Sequence, residues 1–194
     1  LPLPCMHDGS LPRDSFFYSR APAAHYLADS GRVLAAAASQ TTNAAELLFW
    51  ARSANTTVVV ERELHAAHVA DFAAIPTSPT CMAYTSYLFS LAAAGHYPPL
   101  AAGILPCFWI YEDVGRRLKD RVGDLTGHPY ADWISTYGDP AFAASTEQAK
   151  QILDRTAAQA DPGTVERMHQ AFATASRYEW MFWDAAWRQE TWPV

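Results

Sequence analysis

Apolar residues recur along most of the chain at the three- and four-residue spacing of amphipathic helices. This pattern predicts helices over 44–74, 80–94 and 100–119, and two more that begin at Asp139-Pro140 and Asp161-Pro162, the last reaching about Gln189. Each Asp-Pro pair places an N-cap side chain before a proline at the first helical position. The β-branched run over 56–60 lies within strong helical periodicity and is predicted to be a buried helix segment. The fold is therefore predicted to be all-α.

The first long helix contains a proline. Ser10-Leu11-Pro12 is predicted to open a helix that runs toward Leu27, is continued or restarted at Ala28, and ends before Thr41. Pro22 is expected to bend or break it, since proline lacks the backbone N–H and clashes with the preceding turn. In the next helix the apolar residues gather on one side, namely Leu47, Leu48, Ala51, Ala54 and Val58.

Composition narrows the class of protein. Half of the 194 residues are hydrophobic, 18% are charged, and the formal net charge is −6. These values are typical of a single globular domain over 1–194 and disfavour a nucleic-acid partner, which requires a basic face. Cys5, Cys81 and Cys107 are too widely spaced to indicate a disulfide framework or a zinc site. With no apolar run of roughly 20 residues and no leader-like N-terminus, we expect a soluble, cytoplasmic protein without a membrane partner.

A carboxylate near the C-terminus lies among aromatic residues. If the run from Ser176 to Trp187 is helical, Tyr178, Glu179 and Phe182 occupy adjacent strips of one face. A carboxylate in such surroundings is dehydrated, so its pKa rises and its proton becomes available for acid chemistry. The alternative is a core glutamate whose hydrogen bonds are satisfied by a Tyr or a Trp.

A thiol lies in the middle of the helix predicted over 100–119. Gly103, Cys107 and Tyr111 share one stripe, and Pro106 is expected to kink the helix one residue before the thiol. A kinked thiol lined by small residues suits a nucleophile, whereas a buried cysteine can also act as a small hydrophobe. No histidine adjoins Cys107, so a base has to come from elsewhere in the fold.

Hydroxyl-bearing rings are numerous, and each needs a hydrogen-bond partner when it is buried. A pocket that combines several of them with one carboxyl and one thiol suits a flat, polar heteroaromatic ligand. Ordinary helix packing is the alternative for any single one of these rings, which are Tyr84, Tyr87, Tyr111, Tyr130, Tyr137 and Tyr178.

Two groups of residues invite comparison with helical di-iron proteins. Glu61, His65 and His68 follow helical spacing, and Glu166 and His169 form a Glu-x-x-His pair. A carboxylate di-iron site needs two such pairs plus two more glutamates, and the chain has one pair. A solvent-exposed face is preferred for Glu166 and His169, a buried polar pair is possible for Glu61 and His65, and no metal is predicted.

Four motifs, taken in order, resemble the TenA family of thiaminase II or aminopyrimidine aminohydrolase proteins. They are Tyr84-Thr85-Ser86-Tyr87-Leu88, Leu105-Pro106-Cys107-Phe108-Trp109-Ile110-Tyr111, His128-Pro129-Tyr130 with Trp133-Ile134-Ser135-Thr136-Tyr137, and Ser176-Arg177-Tyr178-Glu179 with Phe182-Trp183. The resemblance extends from Gly9 to Trp192. It implies a haem-oxygenase-like helical bundle without haem, a homotetramer, and no metal or organic cofactor.

The same resemblance implies an activity and roles for individual residues. The implied reaction cleaves 4-amino-5-aminomethyl-2-methylpyrimidine to ammonia and the hydroxymethylpyrimidine of thiamin salvage, with thiamin as a slower substrate. Cys107 corresponds to the nucleophile that adds to the ring, and Glu179 to the acid that binds the pyrimidine edge and protonates it. The remaining implied residues surround the substrate: Tyr26 closes the pocket, Tyr84, Tyr137 and Phe182 frame the ring, and Tyr111 lies beside the thiol.

Simple chemistry agrees with this pairing of acid and nucleophile. An aminopyrimidine is a weak electrophile until a ring nitrogen is protonated, and a carboxyl with a raised pKa can hold that proton near neutral pH. Addition of the thiolate then interrupts ring aromaticity, which allows the amine to leave and water to add before the thiol is expelled.

Two departures from the family pattern have consequences. The family usually carries an Asp three residues before the pocket-closing Tyr, and here that position is Ala23, next to Pro22. We expect weaker pyrimidine affinity or an altered ligand preference. The helix that family members place before the turn over 8–12 is predicted to be missing, as in a truncated or partly described N-terminus.

Two other functions remain as alternatives. The change at Ala23 motivates a pyrimidine-binding or regulatory homologue with little or no turnover. The residues Glu61, His65, Glu166 and His169 motivate a helical di-iron oxidase.

Overall fold

The computed structural model describes residues 3–72 and 77–193, and the side chains of these residues except those of 13–24 and 60–72. No strand occurs in these two ranges, so the all-α prediction is confirmed. None of the helices described is long and apolar enough to cross a membrane. The helices are α1 (Leu3–His7), α2 (Arg13–Gln40), α3 (Ala44–Phe72), α4 (Pro79–Ala93), α5 (Tyr97–Val122), α6 (Ala131–Tyr137), α7 (Pro140–Gln159) and α8 (Pro162–Arg188).

The predicted helix starts at the Asp-Pro pairs are confirmed. The Asp139 carboxylate accepts a hydrogen bond of 2.7 Å from the Ala141 N–H, and Asp161 accepts one of 3.0 Å from the Thr164 N–H. A proline follows each cap within the first turn of its helix. These side chains satisfy N–H groups that have no partner within the helix, which explains why α7 and α8 begin where the sequence indicates.

Other prolines behave differently from the prediction. Helix α2 continues from Arg13 to Gln40, so the predicted break at Pro22 is wrong, while the predicted bend stays a prediction. Helix α5 likewise runs through Pro106 without interruption, and the kink predicted there stays a prediction. It starts at Tyr97 instead of Leu100, because Pro98 and Pro99 lie in the first turn, where a missing N–H costs no helical hydrogen bond.

The main hydrophobic core joins α2, α3, α4, α5, α7 and α8. Helix α5 packs against α8, α7, α6 and α4, and α2 contacts α3, α4, α5 and α8. Helices α2, α4, α5 and α8 are therefore mutual neighbours in the core. Trp50, Tyr84, Leu100 and Glu179 are among the largest fully buried side chains.

Helix α3 turns most of its predicted apolar side outward, and the prediction that the run over 56–60 is buried is wrong for Val58 and Val59, which are 42% and 44% exposed. Leu47 and Leu48 remain 47% and 48% exposed, while the neighbouring Phe49 and Trp50 are 7% and 0% exposed. The two aromatic rings pack edge to face, with centroids 4.8 Å apart, and both contact Phe108 of α5. The bulkier aromatic residues therefore decide which side of this helix is buried.

A second, smaller core lies where α1 and α6 meet α5. It contains Met6, Leu118, Tyr130 and Ile134 among its buried members. The Tyr130 hydroxyl donates a hydrogen bond to the carbonyl of Leu11. Tyr130 therefore belongs to this core and not to the ligand pocket that its inclusion among the hydroxyl-bearing rings suggested. A short helix, α1, occupies the segment before the turn at Asp8. The absence of the family's first helix stays a prediction.

Candidate active site

Four neighbouring helices each contribute one residue to a compact polar cluster in the main core. Tyr26 comes from α2, Tyr84 from α4, Cys107 from α5 and Glu179 from α8. Tyr26, Tyr84 and Glu179 are 8%, 1% and 1% exposed, respectively. Residues far apart in sequence thus form one group of ionisable and hydroxyl-bearing side chains, of which only Cys107 keeps part of its surface accessible.

Glu179 is the acid of this cluster. The Tyr84 hydroxyl donates a hydrogen bond of 2.9 Å to Glu179 Oε1, the one hydrogen bond found for this carboxylate within the described side chains. Burial raises the pKa of Glu179 to about 7, although the Tyr84 hydrogen bond acts in the opposite direction. The desolvation of the charged form therefore dominates, and a substantial fraction of the carboxyl groups holds a proton at neutral pH.

Cys107 is the thiol of the cluster and keeps part of its surface accessible. Burial among protein atoms is the main cause that raises its pKa to about 12, and the charge of Glu179 adds to the increase. The Tyr26 hydroxyl interacts with the sulfur and lowers the pKa. The thiol is consequently protonated at neutral pH, and its use as a nucleophile requires an acceptor for the proton.

Two tyrosine hydroxyls connect the thiol with the acid. The Tyr26 hydroxyl, which interacts with Cys107, lies 3.4 Å from the Tyr84 hydroxyl and donates to it. Tyr84 in turn donates to Glu179. Burial raises the pKa of both tyrosines well above the usual value, so both stay protonated and can pass a proton along the chain.

Aromatic rings cover this chain of polar groups. The rings of Tyr26 and Tyr84 stack with centroids 5.1 Å apart, and Tyr84 stacks on Tyr178 at 5.5 Å. The ring centroid of Phe182, which is 5% exposed, lies 5.8 Å from that of Tyr26. Tyr87 contacts Tyr178 at 5.6 Å and is the more peripheral of these rings. The result is an apolar enclosure that suits a flat ligand.

A second group of rings borders the first. The ring centroid of Tyr111 lies 4.9 Å from that of Tyr137 and 5.0 Å from that of Trp183. The centroids of Trp133 and Tyr137 are 4.6 Å apart. After burial, the charge of Glu179 is the largest cause that raises the pKa of Tyr111, with smaller contributions from Tyr137 and Cys107. Tyr111 therefore joins the acid and thiol to this outer group, and Tyr137 belongs to the site through Tyr111.

Close approach between α5 and α6 sets the position of Tyr137. A Cβ atom added to Gly115 of α5 would lie 2.4 Å from the carbonyl carbon of Tyr137 and 2.6 Å from its Cβ. The Lys119 ammonium also donates a hydrogen bond of 2.9 Å to the Gly138 carbonyl, just beyond α6. Glycine at 115 thus allows the tight helix contact that brings Tyr137 toward Tyr111.

The structure brings together most of the residues that the sequence singled out. Cys107, Glu179, Tyr26, Tyr84 and Phe182 form one cluster, and Tyr111 and Tyr137 extend it. Sequence reasoning did not assign Trp133, Trp183 or Gly115 to the site. The two tryptophans do lie within the family motifs, whereas only the helix contact reveals the part that Gly115 plays.

The described side chains among the residues considered for a metal site do not form such a site. Glu166 and His169 are exposed on α8, as preferred. The side chains of Glu61, His65 and His68 lie outside the described residues, as does that of Ala23. Across the side chains that the structure does describe, no group of three His, Cys, Asp or Glu residues could hold a metal ion.

Comparison with protein families and curated proteins places the chain among known sequences. Residues 4–189 match the TENA/THI-4/PQQC family. The chain is 31% identical to an aminopyrimidine aminohydrolase of Bacillus subtilis over 95% of its own length and 80% of that protein. It is 30% identical to an aminopyrimidine aminohydrolase of Halalkalibacterium halodurans, with 95% and 86% covered.

A longer relative is the thiamine biosynthesis multifunctional protein ThiED of Corynebacterium efficiens. The identity is 34%, with 94% of this chain covered, but the chain spans only 25% of that protein. A second ThiED protein, from Corynebacterium glutamicum, is 35% identical, with 93% of this chain and 24% of that protein covered. The chain thus spans about a quarter of the length of the ThiED proteins that it matches.

Solved structures share the fold. A TenA homologue from P. horikoshii OT3 has a TM-score of 0.83 at 23% identity, with 96% of this chain and 88% of that chain covered. A TenA family transcription regulator from Silicibacter has a TM-score of 0.84 at 24% identity, with 95% and 87% covered. The helical fold expected from the motifs is therefore confirmed. The family match over residues 4–189, together with these relatives, shows that the chain belongs to the TENA/THI-4/PQQC family.

Proposed function

We propose that this chain hydrolyses 4-amino-5-aminomethyl-2-methylpyrimidine to ammonia and the corresponding hydroxymethylpyrimidine, with thiamin as a slower substrate. The observation that carries the proposal is the chain of groups from the Cys107 thiol through Tyr26 and Tyr84 to Glu179, a carboxyl with a pKa near 7. Relatives named aminopyrimidine aminohydrolase support the substrate class.

The first step joins acid and nucleophile. Protonated Glu179 gives its proton to a ring nitrogen, which makes the adjacent ring carbon electrophilic. The sulfur of Cys107 forms a bond to that carbon. The thiol proton passes through the hydroxyls of Tyr26 and Tyr84 to the carboxylate, so Glu179 regains the proton that it gave to the ring. Loss of the thiol proton is thereby coupled to the proton demand of Glu179, which offsets the raised pKa of Cys107.

The later steps return the site to its starting state. The aminomethyl C–N bond breaks and ammonia leaves with the proton of Glu179, which yields an exocyclic methylene on the cationic adduct. Water adds to the methylene carbon, and its proton returns to Glu179. The C–S bond then breaks with the electron pair on sulfur, the ring nitrogen releases its proton, and Cys107 becomes a thiol again through the same hydroxyls. The sum is one water consumed and one ammonia released.

Release of ammonia from the aminomethylpyrimidine tests this proposal. We expect turnover by the native chain and loss of turnover in Cys107→Ala and Glu179→Gln. Matched controls are Cys5→Ala, which removes a thiol in the smaller core, and Glu166→Gln, which removes an exposed carboxylate of α8; both should retain activity. Equal rates in all five proteins would refute the assignment.

A binding or regulatory role without turnover is the second candidate. The raised pKa of Cys107 favours it, because a thiol that stays protonated is a poor nucleophile. Calorimetric titration with the hydroxymethylpyrimidine separates the two roles, since tight binding without ammonia release supports regulation. In that case Ala23→Asp should restore turnover if the change at this position is the reason for its loss.

A homotetramer is the proposed assembly. Large apolar side chains lie on the surface of the single chain, among them Leu47 at 47%, Met82 at 47% and Trp187 at 46% exposure. Side chains of this kind are enriched at protein interfaces. Light scattering after size-exclusion chromatography should give four times the monomer mass, and a monomer mass at micromolar concentration would contradict the proposal.

A further inference from the structure

Three polar side chains follow one stripe of α8 into the interior. Ser176, Glu179 and Trp183 stand three and four residues apart, a spacing that places them on neighbouring turns of the same helix face. Trp183 is 8% exposed and Glu179 is 1% exposed. One hydrogen-bonding group therefore lies a turn before the acid and another lies a turn after it.

These two flanking groups have no hydrogen-bond partner. The Ser176 hydroxyl oxygen and the Trp183 indole nitrogen are both buried and unpartnered within the part of the chain that the structure describes. Leaving a buried polar group unpaired is unfavourable, and most such groups in native proteins are paired. A third unpartnered atom, Gln40 Oε1, lies at the far end of α2, where the amide nitrogen of the same side chain donates to Ala92. Only the α8 pair adjoins the acid.

Trp183 also lies beside the reacting groups. Its ring is 5.0 Å from that of Tyr111 and 5.9 Å from that of Trp133. Tyr111 interacts electrostatically with both Glu179 and Cys107. The indole thus borders the same enclosure as the thiol and the acid, and its N–H lacks a protein acceptor there.

We propose that the Ser176 hydroxyl and the Trp183 indole N–H bind the ligand directly, one on each side of Glu179. This inference rests on the proposed function. The indole nitrogen is a donor only, so it selects an acceptor on the ligand, such as a ring nitrogen or the oxygen of the hydroxymethyl product. The serine hydroxyl donates and accepts, so it can pair with an exocyclic amino group or with a ring nitrogen.

Removal of either hydrogen-bonding group should weaken ligand binding without lowering the stability that the group itself contributes to the unliganded fold. A polar group that supports the fold lowers stability when it is removed. A buried group that lacks a partner until the ligand arrives already weakens the unliganded fold, so its removal should leave stability unchanged or raise it. Binding should become weaker, because the ligand loses a hydrogen bond that it makes only in the complex.

Trp183→Phe and Ser176→Ala test the inference while keeping most of each side chain's packing. Matched controls are Trp180→Phe, at a 66% exposed site of α8, and Ser145→Ala, whose hydroxyl donates to the Ala141 carbonyl on the surface of α7. Calorimetry with the hydroxymethylpyrimidine measures Kd, and thermal unfolding without ligand measures stability. We expect Kd to rise roughly 3- to 10-fold in each test variant and to stay the same in the controls. The unliganded melting temperature of Ser176→Ala should be equal to or above that of the native chain, whereas Trp183→Phe also loses buried ring packing and is therefore judged by Kd.

Each other outcome overturns a specific statement. Unchanged Kd in both variants would show that neither group binds the ligand, while the proposed function would stand on native binding and turnover. A fall in the unliganded melting temperature of Ser176→Ala, together with weaker binding, would assign the Ser176 hydroxyl a structural role. Absence of pyrimidine binding by the native chain would refute the proposed function, and this inference with it.

Discussion

Two buried glutamates, Glu46 and Glu179, are held in different ways. Glu46, which is 5% exposed, accepts hydrogen bonds of 3.0 Å from Thr41 and 2.7 Å from Tyr97, and Arg155 lies 3.7 Å away. It also lies in the first turn of α3, where the helix dipole favours negative charge. Glu179 lies inside α8, and Tyr84 is its one hydrogen-bond partner among the described side chains.

The difference separates a carboxylate held by partners from several helices from one that is held by a single hydroxyl. Glu46 connects α3 with α5, with α7 and with Thr41 at the C-terminal cap of α2, and the Trp50 indole extends this network with a hydrogen bond of 2.8 Å to Tyr97. Glu179 lacks a cation among its described contacts, so burial raises its pKa to about 7. Hydrogen-bonding capacity that protein groups leave unused is available to a ligand, and we infer that this property distinguishes the candidate active site.

Substitution of each glutamate by neutral glutamine should give the largest difference in the rate of ammonia release. Glu179→Gln removes the acid, and general acid catalysis typically contributes roughly 100- to 10,000-fold to a rate. We expect a loss of that size in ammonia release, whereas Glu46→Gln should retain most of the native rate per folded molecule. Steady-state kinetics on both variants checks the prediction. A comparable loss in Glu46→Gln would mean that the two carboxylates do not differ in function.

Truncation of Glu46 should instead act on stability. Glu46→Ala leaves the hydroxyls of Thr41 and Tyr97 without their shared acceptor, and we expect a loss of about 2 kcal/mol in the free energy of unfolding. Urea denaturation measures this change. Glu179→Ala serves as the comparison, and the contrast would fail if it cost more stability than Glu46→Ala.

The pH dependence of stability should carry the signature of Glu179. Its pKa rises from 4.5 to about 7 on folding, so the folded chain binds more protons than the unfolded chain between these values. Stability from this group is complete below pH 4.5 and is lost as pH rises through about 7. Urea denaturation at several pH values should show this decline in the native chain and a flatter curve in Glu179→Gln. Identical slopes would contradict a raised pKa.

Removal of the tyrosine hydroxyl that donates to each glutamate, Tyr84 for Glu179 and Tyr97 for Glu46, should have the smallest effect and the most specific one. Tyr84→Phe removes the hydrogen bond that lowers the pKa of Glu179, so the pKa should rise further. In the proposed mechanism the protonated form of Glu179 is the acid, so the decline of activity at high pH should move to higher pH. The maximum rate should also fall, because the path for the thiol proton is interrupted. Tyr97→Phe should leave the pH profile in place and cost about 1 kcal/mol of stability. Equal profiles in both variants would remove Tyr84 from the control of Glu179.

Much of the fold could be predicted because its signals are local. Helical periodicity and the Asp139 and Asp161 caps depend on residues within a turn or two, and they identified α7 and α8 correctly. The start of α5 was missed because prolines at 98 and 99 can end one helix or begin the next. The buried side of α3 was also missed, since Leu47 and Phe49 are both apolar and only packing against α5 distinguishes them.

The sequence by itself determined the helical class, the main helix starts, and the two reactive candidates Cys107 and Glu179. Tertiary structure decided what these groups can do. The hydrogen-bond partner of Glu179 lies 95 residues away in the chain, and nothing in the local pattern around Glu46 indicated its buried network. Periodicity and capping are properties of neighbouring residues, whereas the pKa of a carboxyl depends on solvent exclusion and on hydrogen-bond donors that other helices bring to it.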